Sequence, residues 1–414
     1  MSPDQTSSDQ TSPVLRPPKV RRPTPIPRTR SALLDALAAG DVEMFWERVA
    51  RTLPLVEETE TPGEVVVTFC WRDRDAEQVL LFANRLTDER NLEATLLERL
   101  GESDLWHASF RMAADWRASY SFLVQHPGEQ APWIVEGQAA LRQALDRGRR
   151  DPRNPATCTN RAGVVQSVVA LPDAPAQPWL APRAGVPRGT LHREVAPAGH
   201  EVWLYDPPGP DPTDPLPLVV ALDGEVWTSH QSLPAIVDNL IADRAIPPVR
   251  AVLVASGGRE SRWTELGGSA GAGYLTGSLV GWVRERRGIG REVVAVGQSL
   301  GGLTALRAGL SDPRTVTGVV SQSASLWMDD LADLIVPGSA VRIHLAHGRQ
   351  EWVLAPLHAD LERRLRAAGI EVHACSHNGG HDYAWWRGDV ADGLITLLGD
   401  PAGDATDRDA VRSR

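Results

Sequence analysis

A serine fenced by glycines, GQSLGG at residues 297–302, is the first place where residue types and spacing suggest a reaction. It follows the apolar run REVVAVG and leads into a stretch of helical character. G-x-S-x-G at a strand-to-helix turn is the spacing of a nucleophile elbow, in which the hydroxyl points away from the sheet. Gly297 and Gly301 leave room for the backbones to approach, and the helix behind Ser299 offers positive potential and free N–H groups. The chain has 36 glycines, so the pattern alone can arise by chance. Its position after an apolar strand is what singles out Ser299.

A serine hydroxyl is inert without a base. Of the 11 histidines, His381 stands out in HNGGHDYAWW, beyond the last predicted strand and before the last predicted helix. Strand-end loops carry the site in open α/β sheets, and the glycines before His381 are expected to permit an unusual backbone path. His344, His347 and His373 fall inside strand patterns and read as structural. The third member is a carboxylate that orients the imidazole and steadies its charged form. Glu351 is the first carboxylate after the strand VRIHLAHG; Asp360 lies on the next predicted helix, and Asp382 is bonded directly to His381. The order Ser299, Glu351, His381 is that of an α/β-hydrolase. Acyl transfer also needs two oxyanion donors. The expected ones are the Leu300 N–H and an N–H from the loop after LVVALDG, at Gly224 or Glu225. In RWTEL, Arg262 and Glu265 read either as groups facing an anionic substrate or as a local ion pair.

The elements that must position these residues divide the chain in two. From Ser31 a helical pattern carries Leu33, Leu34, Leu37, Val42, Phe45 and Trp46. EVVVTFCWRD, QVLLFAN, LWHASFRM and RASYSFLVQ then read as strands separated by turns, which predicts a small β-sandwich over 31–150. Prolines crowd residues 151–189, a stiff connector with VVQSVVAL as a possible strand inside it. From 190 to 398, short apolar runs alternate with helical patterns near 232–243, 275–287, 299–309, 354–368 and 384–398. That alternation predicts a mostly parallel sheet covered on both faces, an α/β-hydrolase domain.

The length, 414 residues, agrees with two domains, and 42% hydrophobic with 23% charged residues is ordinary for a globular chain. A net charge of −10 argues against nucleic acid as a partner. Cys70, Cys158 and Cys375 form neither a disulfide framework nor a zinc-site spacing and suit a reducing cytosol. No apolar run reaches membrane-spanning length, so membrane insertion is not expected. Residues 1–30 are basic and proline-rich without an apolar core, which predicts a disordered tail and not a secretion signal. The polar residues 399–414 are likewise expected to be disordered. No cofactor and no metal are expected for the chemistry.

The motifs TFCWRD, DLWHASFRM, RASYSF and DPRNP, with LDGEVW, RWTEL, GQSLGGLTALRAGL, VSQSASLW and GGHDYAWWRG, resemble the ferric enterobactin esterase family from about Val42 to Leu398. The resemblance implies a cytosolic enzyme that cleaves the trilactone of a ferric catecholate siderophore so that iron is released. It places the nucleophile on Ser299, the histidine on His381, the acid on Glu351 and a substrate-facing arginine on Arg262. GRQEWVL departs from the family around the acid. A ferric tris-catecholate is an anion and the chain is acidic, so local cations must override the overall field. Arg72, Arg117, Arg262 and Arg387 are the candidates, and Trp106, Trp227, Trp385 and Trp386 are either stacking partners for catechol rings or core residues. The N-terminal domain is expected to close over the site mouth and wall in the ligand. The rival readings are an esterase-D-like carbohydrate or feruloyl esterase, and a siderophore-binding protein without turnover. Oligomeric state is not written in the sequence.

Overall fold

The computed structural model describes residues 18, 20, 22–37 and 41–399. The two expected tails lie mostly outside the described residues. The first tail needs one correction: within it, Arg28–Thr29 forms a short strand antiparallel to Leu105–Ala113.

The N-terminal half is a sandwich of two antiparallel sheets. One sheet runs Arg28–Thr29, Leu105–Ala113, Glu64–Arg72, Leu55–Glu58, with Glu98–Arg99 also pairing with Leu105–Ala113. The other runs Gln78–Ala83, Arg117–Gln125, Val165–Ala170, Thr157–Thr159. Its last two strands come from the Pro-rich stretch, so residues 157–170 complete a sheet as well as linking two domains. Val67, Phe69, Phe110, Trp116, Tyr120 and Phe122 form the core between the sheets. Phe69 and Tyr120 meet edge to face at 4.9 Å, a favoured arrangement of two ring quadrupoles. Arg117–Gln125 is buried on both of its faces. Ser119 and Ser121 are the polar half of its alternation, yet both are buried. The N–H of Ser119 donates to Asp382 Oδ2 in the second domain at 2.6 Å.

The second domain is an eight-stranded sheet. Its strands are β1 (Thr190–Val195), β2 (Glu201–Asp206), β3 (Leu216–Leu222), β4 (Arg250–Val254), β5 (Ile289–Gln298), β6 (Gly318–Gln322), β7 (Arg342–Gly348) and β8 (Glu371–His377). The order is β1-β2-β4-β3-β5-β6-β7-β8; the β1–β2 and β2–β4 pairings are antiparallel and the remaining pairings parallel. The central strands are fully buried, as at Val219, Val220, Val294 and Val296. Helices on both faces exclude water from them, which is why they read as continuous apolar runs. Four helices matter for the site: α1 (Gly224–Ser229), α2 (Leu300–Ser311), α3 (Leu354–Ala367) and α4 (Tyr383–Leu398). The expected helix near 275–287 is three short joined segments over 270–284, one of them a π turn. Among the described residues no helix is long and apolar enough to cross a membrane.

Candidate active site

Ser299 sits between β5 and α2 with φ 58° and ψ −117°. A non-glycine residue held there stores on the order of 1–3 kcal/mol of strain, tolerated where the surroundings over-determine it. Those surroundings are visible. The Ser299 N–H donates to Gln322 O at 2.9 Å, and its carbonyl accepts from Leu303 and Ser325. Gly297 makes the turn possible, because a Cβ there would meet Gly301 O at 2.2 Å. The Ser299 hydroxyl lies 3.3 Å from the Ser325 hydroxyl. Leu300 is the first residue of α2, so its N–H is among those that a helix leaves without an intrahelical acceptor.

His381 lies between β8 and α4, and its Nδ1 is 2.7 Å from Glu351 Oε1. Glu351 is buried, at 1% exposure. Its other oxygen accepts from the Ser323 hydroxyl at 2.6 Å and from the Gly348 N–H at 2.8 Å. Burial alone would raise the Glu351 carboxyl. The hydrogen bond and charge of His381, the field of Arg85 and the bond from Ser323 outweigh it and hold the carboxyl well below its ordinary range. An ionised carboxylate only accepts, so Nδ1 carries a proton towards Glu351, and Nε2 is the ring nitrogen not engaged by the carboxylate. Trp386 packs edge-on against the imidazole at 4.6 Å and donates from Nε1 to the Ser323 hydroxyl at 3.0 Å. Asp360 pairs with Arg363 and Arg364, and Asp382 caps α4 and accepts from Ser119. Glu351 alone of the three carboxylates meets the imidazole.

The loop after β3 supplies the other flank. Asp223 precedes α1 in the left-handed region, at φ 60°. Its carboxylate is fully buried and accepts from Arg262 Nε and Nη2, each at 2.8 Å, and from the Ser256 hydroxyl at 2.7 Å. Burial pushes this carboxyl up, but Arg262 and Arg161 bring it down to about 2. Arg262 thus points at a carboxylate; its Nη2 also reaches Gln298 O at 3.2 Å. Glu225 accepts from the Ser256 N–H at 3.0 Å, and its other oxygen lies 2.7 Å from the Ser256 hydroxyl, sharing that one proton with Asp223. Glu265 makes a local contact with Ser261 at 3.2 Å and sits 3.6 Å from His200. Beside this loop is a cavity of about 200 Å³, lined in part by His200, Leu222, Asp223, Ser256, Leu266 and Tyr274.

Sequence reasoning did not find the N-terminal residues that touch both flanks. Arg161, in the turn between Thr157–Thr159 and Val165–Ala170, lies 3.0 Å from both Asp223 and Glu225 and donates to the Ser256 hydroxyl at 2.8 Å. Asn84 Nδ2 donates to the His381 carbonyl at 3.0 Å. Arg85, at φ 63°, places its guanidinium 5.9 Å from the Trp352 ring. The glycines before His381 are explained by this approach and not by an unusual backbone path: neither has positive φ. A Cβ on Gly380 would meet Arg85 Cγ at 2.0 Å, and one on Gly379 would meet Trp385 Nε1 at 2.0 Å.

Most of the expected ligand contacts are engaged elsewhere. Trp106 is buried in the sandwich and donates to Asp73 O. Trp227 is fully buried and donates to Gln298 Oε1 at 3.0 Å. Trp385 donates to Arg117 O and stacks on His377 at 4.2 Å. Arg117 lies 4.8 Å over the Trp385 ring and donates to Pro175 O, and Arg387 donates to Thr157 O. Arg72 pairs with Asp104 and Glu43. These are packing and domain-interface roles. Around the serine, Arg85, Arg161 and Arg262 face Glu351, Asp223 and Glu225. The formal charges cancel, so these residues alone do not reverse the field of an acidic chain.

The model of the N-terminal domain of enterochelin esterase matches residues 66–180, and the model described as "Putative esterase" matches residues 198–397. An iron(III) salmochelin esterase of Escherichia coli O6:H1 is 34% identical over 408 residues, covering 90% of this chain and 98% of the relative. An iron(III) enterobactin esterase of Dickeya dadantii is 30% identical, covering 92% and 98%. The crystal structure of ferric enterobactin esterase from Salmonella typhimurium superposes with a TM-score of 0.73 at 26% identity, over 86% of this chain and 98% of that one. The enterobactin esterase of Shigella flexneri, crystallised in the presence of enterobactin, gives 0.73 at 26% identity, over 87% and 99%. The chain belongs to the iron(III) enterobactin (enterochelin) esterase family.

Proposed function

We propose that this chain is a carboxylic ester hydrolase that opens the trilactone of a ferric catecholate siderophore, with Ser299 as nucleophile, His381 as base and then acid, and Glu351 as the orienting carboxylate. The observation that carries the mechanism is the 2.7 Å contact of His381 Nδ1 with buried Glu351. The names of the relatives carry the substrate class. His381 Nε2 takes the Ser299 proton as Oγ attacks the ester carbonyl. The Leu300 N–H, with an N–H of the Gly224–Glu225 loop, stabilises the oxyanion. The tetrahedral species collapses, the C–O bond breaks, and His381 passes its proton to the departing alkoxide. Water then attacks the acyl-serine with the same base and the cycle closes. Iron is cargo of the substrate here and takes no part in these steps. The setting is the cytoplasm, where the three cysteines stay reduced.

Mass spectrometry of products from ferric enterobactin tests this. The wild-type chain should give a linear trimer one water heavier than the ring, and dimer and monomer acids as further ester bonds are cleaved. Ser299→Ala should give none above background while still quenching its tryptophan fluorescence on binding the ferric ligand. Binding without turnover by the wild-type chain would make it a siderophore-binding protein and sink the proposal.

A further inference from the structure

Away from the serine, three side chains that the mechanism does not use converge on one point. His344 projects from β7, Cys375 from β8 and Asp389 from α4. His344 Nε2 is 3.1 Å from Asp389 Oδ1, Cys375 Sγ is 3.3 Å from the same oxygen, and Cys375 Sγ is 3.7 Å from His344 Nε2. All the donor atoms fall within 4.8 Å of one another. We propose that His344, Cys375 and Asp389 form a three-ligand site for a borderline transition-metal ion, zinc foremost.

The geometry separates this reading from a second catalytic triad. In a relay, the acid and the nucleophile meet opposite nitrogens of the imidazole. Here the carboxylate and the sulfur both face Nε2, and the His344 Nδ1 has no hydrogen-bond partner among the described residues. Three donors sharing one point is the arrangement of ligation. Tetrahedral zinc bonds of about 2.0–2.3 Å separate neighbouring N, O and S ligands by roughly 3.3–3.5 Å. The observed 3.1, 3.3 and 3.7 Å bracket that range. A mixed nitrogen, sulfur and oxygen set suits zinc better than calcium or magnesium.

The surroundings fit. Gln322 Nε2 donates to Asp389 Oδ2 at 2.5 Å, which fixes the carboxylate and leaves Oδ1 for the ion, an outer contact of the kind that orients metal ligands. His344 and Asp389 are buried, and Cys375 is half-buried, so the site is approached along the cysteine. On binding, the Cys375 thiol gives its proton to solvent and the thiolate takes the ion. Cysteine spacing alone could not suggest the site, because its ligands come from three separate elements. An ion there would staple α4 to β7 and β8. Since α4 begins just after His381, the staple would steady the segment carrying the base.

The test uses the full chain, stripped with a chelator, dialysed and titrated with zinc against a chromophoric competitor, then with cobalt by absorption. One equivalent should bind with a dissociation constant on the order of micromolar or tighter. Cobalt should give thiolate charge-transfer absorption, and zinc should raise the melting temperature, as any ligand of the native state does. Cys375→Ser should weaken zinc by at least about tenfold and abolish the cobalt–thiolate band, with His344→Gln weakening zinc similarly. Cys158→Ser should change neither. If His344→Gln does not fold, Cys375→Ser decides alone, because its side chain is half-buried and the substitution nearly isosteric. A wild-type chain that takes up no stoichiometric zinc, or Cys375→Ser binding as tightly as wild type, would overturn the proposal. The trio would then be a buried hydrogen-bonded ion pair.

Discussion

The N-terminal domain reaches both flanks of Ser299, but with different chemistry. On the His381 flank it offers a neutral amide: Asn84 donates to a backbone carbonyl at 3.0 Å. On the Asp223 flank it offers a charge: Arg161 lies 3.0 Å from buried Asp223. The first flank is completed inside the hydrolase domain, where Glu351, Ser323, Gly348 and Trp386 already fix the imidazole. The second is not. Asp223 is held ionised without exposure by two guanidiniums, and one of them is borrowed from the other domain. Removing a partner from a buried charge costs more than removing one donor from a carbonyl. The sandwich contacts the loops that flank Ser299. It therefore braces these loops, and its loss at the Asp223 side should be felt even by a small ester.

The largest effect should come from within the hydrolase domain. Glu351→Gln keeps the shape but removes the charge that stabilises the imidazolium, so kcat should fall by about 10³–10⁴ with KM little changed. A fall of less than about tenfold in a folded protein would move the acid role elsewhere. Next is the charged brace. Arg161→Met should lower kcat/KM by roughly 10–100-fold for both p-nitrophenyl butyrate and the ferric trilactone, about 1.4–2.7 kcal/mol. A loss confined to the trilactone would make Arg161 a substrate contact instead.

The same brace predicts a pH dependence of stability. The folded-state Asp223 carboxyl is depressed from 3.8 to about 2, so its contribution is complete above the ordinary value and is lost as pH falls through that window. The gap in urea midpoint between wild type and Asp223→Asn should narrow as pH is lowered from 5 towards 3. A gap that widens would mean Asp223 is not held ionised by its arginines. The smallest effect should be at the neutral brace: Asn84→Ala should reduce kcat by no more than about tenfold. If it rivals Arg161→Met, the distinction between the flanks fails.

What was legible in the sequence follows the same division. Ser299, His381 and Glu351 each sit at a strand end of a mostly parallel sheet, in short motifs set off by apolar runs, and local spacing was enough to single them out as candidates; the structure brings His381 and Glu351 together. Arg161 and Asn84 act across long sequence separations, from turns whose composition says only "turn". The Pro-rich composition of 151–189 read as a connector; the possible strand VVQSVVAL within it forms as Val165–Ala170, but Thr157–Thr159 was masked. Nothing local in RASYSFLVQ announces that a second domain covers the side carrying Ser119 and Ser121, both of which are buried. Trp106 and Trp227 misled for the converse reason: an indole suits a catechol and a core equally, and only packing distinguishes them.

The central claim is that Ser299 becomes acylated through the His381–Glu351 pair. The most direct measurement is intact-mass analysis after treatment with an alkyl fluorophosphonate, followed by peptide mapping. One adduct should form, on the peptide carrying Ser299, in step with loss of siderophore hydrolysis, and Glu351→Gln should slow labelling together with turnover. An adduct on another residue, or full hydrolytic activity after complete labelling of Ser299, would contradict the account.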